Sequence, residues 1–324
     1  MLKATKRKVA GAPTPMAGLA LGIASLGWCW ENAVPAQGMA QLTGAGIAAV
    51  LLLILTVKFI CHPRLLWQDL AHPVVGSVVP TYAMASMVVA KAISQFYPVV
   101  GQGLWLVAVV LHLAFLLTFI VHRAREFELH HMVPSWFVPP VGIIVADVAF
   151  PGGAFAPLAD ALLVFGMGAY AVMLPLMIYR LIFSAEIHDA AKPTIAIMAA
   201  PASLSLAGYL TVTATPSPVV IGLLVGIAVL MTFVIYLTFY RLLRLPFSAG
   251  YAAFTFPVVI SATALFKVAA WMTQFGFDVQ YVQQVATLAR FELGMATLIV
   301  SYVAVRYLAH YRPLSRLFQI PATA

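Results

Sequence analysis

Windows of about 20 apolar residues, each long enough to cross a bilayer as an α-helix, recur from Ala17 to Tyr307 with only short polar breaks between them. That recurrence leaves no stretch for a separate soluble domain. Only 9% of the 324 residues are charged, against roughly 25% in an ordinary soluble domain. The sequence therefore predicts an all-α integral membrane protein. Residues 1–10 are basic and lead into an apolar run ending at Trp30 without a small-residue cleavage site, which predicts a retained first span.

Cutting at polar and Gly/Pro clusters predicts ten spans, at 12–30, 38–61, 72–96, 101–122, 133–150, 157–183, 194–213, 217–240, 248–274 and 282–309. An even number puts both termini on one side. Lys3, Lys6, Arg7, Lys8, Lys58, Arg64, Arg123, Arg125, Arg180, Lys192, Arg241, Arg244, Arg306, Arg312 and Arg316 then share a face, while the loops around Glu31, Pro98, Gly152, Pro216 and Gly276 hold no Lys or Arg. By the positive-inside bias, both termini are expected in the cytoplasm. The formal charge of +8 thus reports topology and not a nucleic-acid partner. Cys29 and Cys61 end successive spans on opposite faces, so they are expected to be unpaired packing thiols.

Proline favours the odd spans, and a proline inside a helix removes a backbone donor and bends it. Pro80 lies in the third, Pro139 and Pro140 in the fifth, Pro201 in the seventh and Pro257 in the ninth; the first opens with Pro13 and Pro15 and contains Gly18 and Gly22. Among even spans only the sixth has an internal proline, Pro175. The alternation predicts five quasi-repeated helical hairpins of about 60 residues, with bent odd-numbered helices around a central pore and straighter even ones facing lipid, because breakers are tolerated where freed carbonyls face protein or water.

Lys91 and Lys267 lie on odd spans, about 15 Å outward of Pro80 and Pro257 at 1.5 Å per residue. Facing a cavity they would attract anions; the other reading has them snorkel to headgroups or pair with Asp147. Asp147, near the outer end of the fifth span, is the one candidate proton relay, with a solvated or lysine-paired role as its plainer reading. Arg290, close to Glu292 on the tenth span, reads as a structural or subunit-interface group. His122, His130 and His131 gather with Glu126 and Glu128 in one loop, but their spacing matches no metal motif, so a solvated loop and no metal site are expected. No phosphate-binding loop, nucleophile elbow or dinucleotide fingerprint occurs, which argues against an enzyme and against a cofactor. In the ninth span Phe254-Thr255-Phe256-Pro257 sets two rings beside a breaker, a pattern that spacing alone assigns to core packing and that would occlude a narrow passage if one ring faced it.

These residues carry a family likeness. Pro-Met-Ala-Gly-Leu-Ala-Leu-Gly at 15–22, His72-Pro73 with Pro80, Pro134-Ser135-Trp136-Phe137-Val138-Pro139-Pro140-Val141-Gly142, Ala200-Pro201-Ala202-Ser203 and Ala253-Phe254-Thr255-Phe256-Pro257 follow one another on alternate spans. Over residues 13–310 the chain resembles the tellurite-resistance and dicarboxylate transporter family, which includes bacterial TehA and the plant guard-cell slow anion channels. The resemblance implies a homotrimer in a bacterial inner (plasma) membrane, a pore in each subunit, and Phe256 as the ring that occludes it. The chain departs from some members at Ile143, Ile144 and Val145, where those carry polar residues, which leaves the substrate open.

The leading expectation is passive conduction of small monovalent anions. A proton-coupled exporter of C4-dicarboxylates or of oxyanions such as tellurite is the alternative, with a membrane enzyme or scaffold as a third reading.

Overall fold

The structure is a computed structural model and describes residues 9–311. Its principal elements are helices α1 (Met16–Trp30), α2 (Met39–Cys61), α3 (Pro63–Ala71), α4 (Val75–Ser94), α5 (Pro98–Arg125), α6 (Pro134–Val148), α7 (Ala156–Phe183), α8 (Lys192–Val212), α9 (Pro218–Leu242), α10 (Ala249–Phe275) and α11 (Val279–Tyr311). Among the described residues there is no strand. Eight of these helices are long and apolar enough to cross a membrane. The first and fifth predicted spans emerge instead as shorter apolar helices, α1 and α6. The amphipathic α3, with Trp67 exposed and Leu70 buried, lies in what the sequence presented only as a basic loop.

Continuity separates the helices into two kinds. α2, α5, α7, α9 and α11 run without a break, α7 doing so through Pro175. α4 is interrupted at Val79 and Pro80, and α8 and α10 open as 3-10 helices, Lys192–Ala199 and Ala249–Phe254, before becoming α-helical. α6 alternates 3-10 and α-helical turns throughout, because Pro134, Pro139 and Pro140 leave too few backbone donors for a regular ladder. Burial divides the helices the same way. In α4, α8 and α10 the apolar stretch is 67%, 72% and 83% buried, against 28–39% in the five unbroken helices.

The interruptions are closed by hydroxyls. In α4, α8 and α10 a Ser or Thr donates back three residues: Ser77 to Val74 O (2.7 Å), Thr81 to Val78 O (2.6 Å), Thr194 to Ala191 O (2.6 Å) and Thr255 to Ala252 O (2.8 Å). In the unbroken helices the same residue types reach back four, as Thr56 does to Leu52 O and Thr118 to Ala114 O. A 3-10 or interrupted turn brings the i−3 carbonyl into reach, and a carbonyl left without a partner in an apolar interior costs free energy.

Packing closes the inner helices into a ring. α1 lies against α10, α10 against α8, α8 against α6, α6 against α4, and α4 against α1. Each also packs on the unbroken helix that follows it, α1 on α2, α4 on α5, α6 on α7, α8 on α9 and α10 on α11. Lys58, Arg123, Arg125, Arg180 and Arg241 sit in the last turns of α2, α5, α7 and α9. Lys3, Lys6, Arg7, Lys8, Arg312 and Arg316 lie outside the described residues. Cys29 and Cys61 are both free, at opposite ends of the α1–α2 pair.

The α1–α2 contact depends on Gly27 and Gly44 meeting face to face. A Cβ at Gly44 would stand 2.7 Å from Ile23 O and 3.1 Å from Gly27 Cα, both backbone atoms that have no room to move. Gly44→Val is expected to destabilise the protein by about 1–3 kcal/mol through overpacking, whereas Gly46→Val, where nothing stands within 4 Å, leaves stability nearly unchanged. Thermal unfolding of both variants in detergent checks this.

Candidate functional site

Inside the ring lies a cavity of about 330 Å³ to which all five broken or short helices contribute. Its wall comes from their N-terminal halves: Gly18 and Leu21 of α1, Thr81 and Met84 of α4, Val141 and Gly142 of α6, Pro201 and Leu204 of α8, and Phe256 and Pro257 of α10. Among the described residues no charged side chain lines it. Thr81 and Thr194 spend their hydroxyl protons on their own backbones, so the wall offers a solute an almost wholly apolar surface.

The Phe-Thr-Phe-Pro segment divides its two rings between core and cavity. Phe254 is 0% exposed and packs edge-on against Phe239 (5.5 Å) and tilted on Tyr251 (4.8 Å). Phe256 is 8% exposed and lines the cavity. Between them Thr255 ties α10 to α1 by donating to Ala252 O and approaching Gly18 O at 3.2 Å. Gly22 makes room for Thr255, since any Cβ there would collide with its side chain. The sequence singled out the rings but missed this anchor, whose signal was a hydroxyl three residues beyond a carbonyl released by a 3-10 turn.

The predicted bends distribute unevenly. Pro201 and Pro257 line the cavity; Pro80, Pro139 and Pro140 do not. Pro80 sits at the start of the second part of α4, while Pro139 releases its carbonyl to His112 Nε2 of α5 at 2.8 Å, a fully buried contact. Ser77 and Ser135 hydrogen bond at 2.7 Å and join α4 to α6 near the cavity mouth. His72 accepts the N–H groups of Val74 and Val75 through Nδ1, and burial together with the nearby Arg123 guanidinium holds its pKa below the usual histidine value. That neutral ring fixes the start of α4, where Val74 and Val75 face the cavity.

The ionisable groups fall elsewhere than the plainer sequence readings placed them. Asp147 is neither solvated nor paired with a lysine: it is 0% exposed, neither carboxylate oxygen has a hydrogen-bond partner, and among the described residues no ion pair includes it. It packs toward Gly208 of α8, whose bare backbone makes room for the neighbouring Ile144: a Cβ there would stand 2.5 Å from Ile144 Cγ2. Lys91 donates to Phe150 O at 2.9 Å, and Lys267 is half-buried with no hydrogen bond or ion pair among the described residues. Glu292 is buried and accepts from Tyr236, whereas Arg290, two residues earlier, is exposed on the opposite side of α11. Glu128, His130 and His131 bring their ligand atoms within 4.8 Å of one another, with two of the three side chains exposed; His122 instead edges onto Trp67 at 5.2 Å.

Residues 14–310 match the SLAC1 family, described as voltage-dependent anion channel. This chain belongs to that family. Two relatives of this SLAC1-family chain in Methanocaldococcus jannaschii are both described as uncharacterized transporters. One is 26% identical over 258 residues, covering 71% of this chain and 74% of the relative. The other is 26% identical over 228 residues, covering 62% and 66%. With its apolar helices, membership makes this chain a multi-pass membrane protein of a family of anion transport, and not an enzyme.

Two substitutions test the division of roles. Phe254→Ala is expected to cost about 3–5 kcal/mol of stability by opening a cavity in a closed core, and Phe256→Ala distinctly less because its ring already borders empty space. Asp147→Leu removes a buried polar group that has no partner, so its thermal midpoint is expected to equal or exceed that of the unaltered protein. A matched set of melting curves reads all three.

Proposed function

We propose that this chain is an anion channel conducting small monovalent anions along the axis of the α1–α4–α6–α8–α10 ring, with Phe256 closing the path. The observation that carries this reading is the cavity: all five inner helices contribute to its wall, no charged side chain among the described residues lines it, and the Phe256 ring stands in its wall. An anion held by a fixed cation inside a pore leaves slowly, whereas a dry apolar wall lets it pass at a rate set by its dehydration cost. Small, weakly hydrated anions are therefore favoured.

In this reading the ten predicted spans make five hairpins, with α1 and α6 completing the inner ring despite their length, and three copies of the chain form a homotrimer with one pore per subunit. The basic ends of α2, α5, α7 and α9 support an inner-membrane orientation with both termini cytoplasmic and the cavity opening to the cytoplasm. Lys91 and Lys267 then stand toward the external mouth and raise the local anion concentration. The proton-coupled exporter of C4-dicarboxylates or tellurite has support only in the partnerless Asp147; among the described residues no cation lines the cavity to hold a dicarboxylate.

Phe256→Ala is expected to raise basal anion conductance in planar bilayers by an order of magnitude or more while the protein remains folded, because it removes a block and no binding group. Conductance equal to that of the unaltered protein sinks the gate assignment. Flux that follows membrane potential alone distinguishes the channel from the exporter, which requires a pH gradient. Lys91→Gln is expected to lower anion flux at 0.01 M salt, where the Debye length is about 30 Å, and to matter less at 0.1 M, where it is about 10 Å.

A further inference from the structure

The link between α5 and α6 contains a fixed turn. Leu129–His131 form a 3-10 turn, closed by His131 N donating to Glu128 O at 3.0 Å and Met132 N donating to Leu129 O at 3.1 Å. Arg180 of α7 donates to His130 O at 3.0 Å, which pins the turn to the helix bundle through its backbone and leaves the His130 ring exposed. With about three residues per turn, a 3-10 segment brings side chains three apart onto one side. Glu128 and His131 have that spacing, whereas an α-helical metal pair needs a spacing of four. The order Glu-Leu-His-His at 128–131 therefore resembles no α-helical metal motif although the folded turn gathers its ends.

Three potential donor atoms meet on this turn, one each from Glu128, His130 and His131, all within 4.8 Å of one another. His130 Nδ1 stands 3.2 Å from Glu128 Oε2, and the two imidazole rings lie 4.2 Å apart between centroids. Tetrahedral donors about 2.0–2.1 Å from a zinc ion are separated from one another by about 3.4 Å. The widest pair here has to close by no more than about 1.4 Å. Glu128 and His130 are both exposed, so torsion of their side chains supplies that movement without shifting the backbone. A separate observation comes from His131, whose Nδ1 is shut from solvent without a hydrogen-bond partner. A buried imidazole nitrogen left unpaired costs free energy, and a bound metal ion is one of the few groups that satisfies it directly.

We propose that Glu128, His130 and His131 form a binding site for one divalent transition-metal ion of the zinc class. Two imidazoles and a carboxylate are a donor set that zinc accepts with water in its fourth position, and the exposure of Glu128 and His130 gives water access. Imidazole donors also suit Ni(II) and Cu(II), whereas Mg²⁺ and Ca²⁺ prefer shells of oxygen and are poorly served by two histidines. The ion's role is to hold the chain. α6 begins three residues beyond His131, and its Phe137 and Val138 line the cavity, so an ion on the turn steadies a segment that continues into the cavity wall. The site stands on its own geometry and does not depend on the channel reading.

The test titrates zinc chloride into the full-length chain, free of any affinity tag and held in detergent, by calorimetry and by thermal unfolding. About one zinc ion is expected to bind per chain, saturably, and to raise the thermal midpoint, while magnesium at the same concentration does neither. Glu128→Gln and His130→Ala each remove one donor from an exposed position, so both variants are expected to melt like the unaltered protein when no metal is added. In each of them zinc affinity is expected to fall at least about tenfold. His188→Ala, an exposed histidine outside the turn, serves as the control and is expected to bind zinc like the unaltered protein. Stoichiometric binding weakened by both turn substitutions and untouched by the control supports the site, whether or not the protein carries anion flux. Absence of stoichiometric zinc binding overturns it. Affinity that survives either turn substitution undiminished, falls equally in His188→Ala, or is matched by magnesium also overturns it, leaving an ordinary surface Glu–His pair.

Discussion

A helix that is broken inside a bilayer releases carbonyls for which lipid offers no hydrogen bond, and the architecture of this protein follows from where those carbonyls go. The four interrupted helices are also among the most buried, and each interruption is closed by a hydroxyl three residues on, by a histidine or by a neighbouring helix. Five unbroken helices, whose ladders are complete without help, take the outside. Inner position is thus imposed by backbone chemistry as much as by side-chain hydrophobicity, since the outer helices are if anything the more apolar.

That division was legible because proline and glycine are visible in the sequence and their alternation with unbroken apolar runs is too regular to miss. Pro80, Pro139, Pro201 and Pro257 marked the interrupted helices, and Phe254 and Phe256, two residues apart at the start of one of them, were bound to face different ways. Less was legible where the answer lay in three dimensions. The segment at 133–150 has the apolarity of an ordinary span, and only its backbone shows that three prolines leave it as four short turns. Asp147 looked accessible from its nearness to a loop, yet it is fully buried where α6 packs against α7 and α8, and nothing in the linear sequence records that packing. The hydroxyls at Thr81 and Thr194 each follow a proline directly, a pairing that acquires meaning once the i−3 geometry is known.

In the channel reading proposed above, the cavity and the lysines beyond it would divide two tasks that a single polar site would confuse. A cation in the narrowest region would hold an anion strongly and slow its exit, whereas a wall without charge repels an anion only through the water it must shed. In that reading, charge about three helical turns away from Phe256 would let attraction act on arrival without adding to the depth of any well in the constriction. The same separation explains why Met84, Leu204 and Gly142 share the wall with Phe256 while the ionisable residues of the inner helices all lie outside it.

The hydroxyl clasps on the interrupted helices also bear on how fast such a passage opens. With Thr255 bonded to both its own helix and α1, bending α10 at Pro257 would strand carbonyls in an apolar surround, while turning the Phe256 side chain about its first two torsions strands none. A block released by torsion of one ring has a small activation enthalpy and a lifetime far below that of a domain motion. Its electrical trace would be brief flickers that change little in frequency with temperature, superimposed on whatever slower process controls how long the pore stays available.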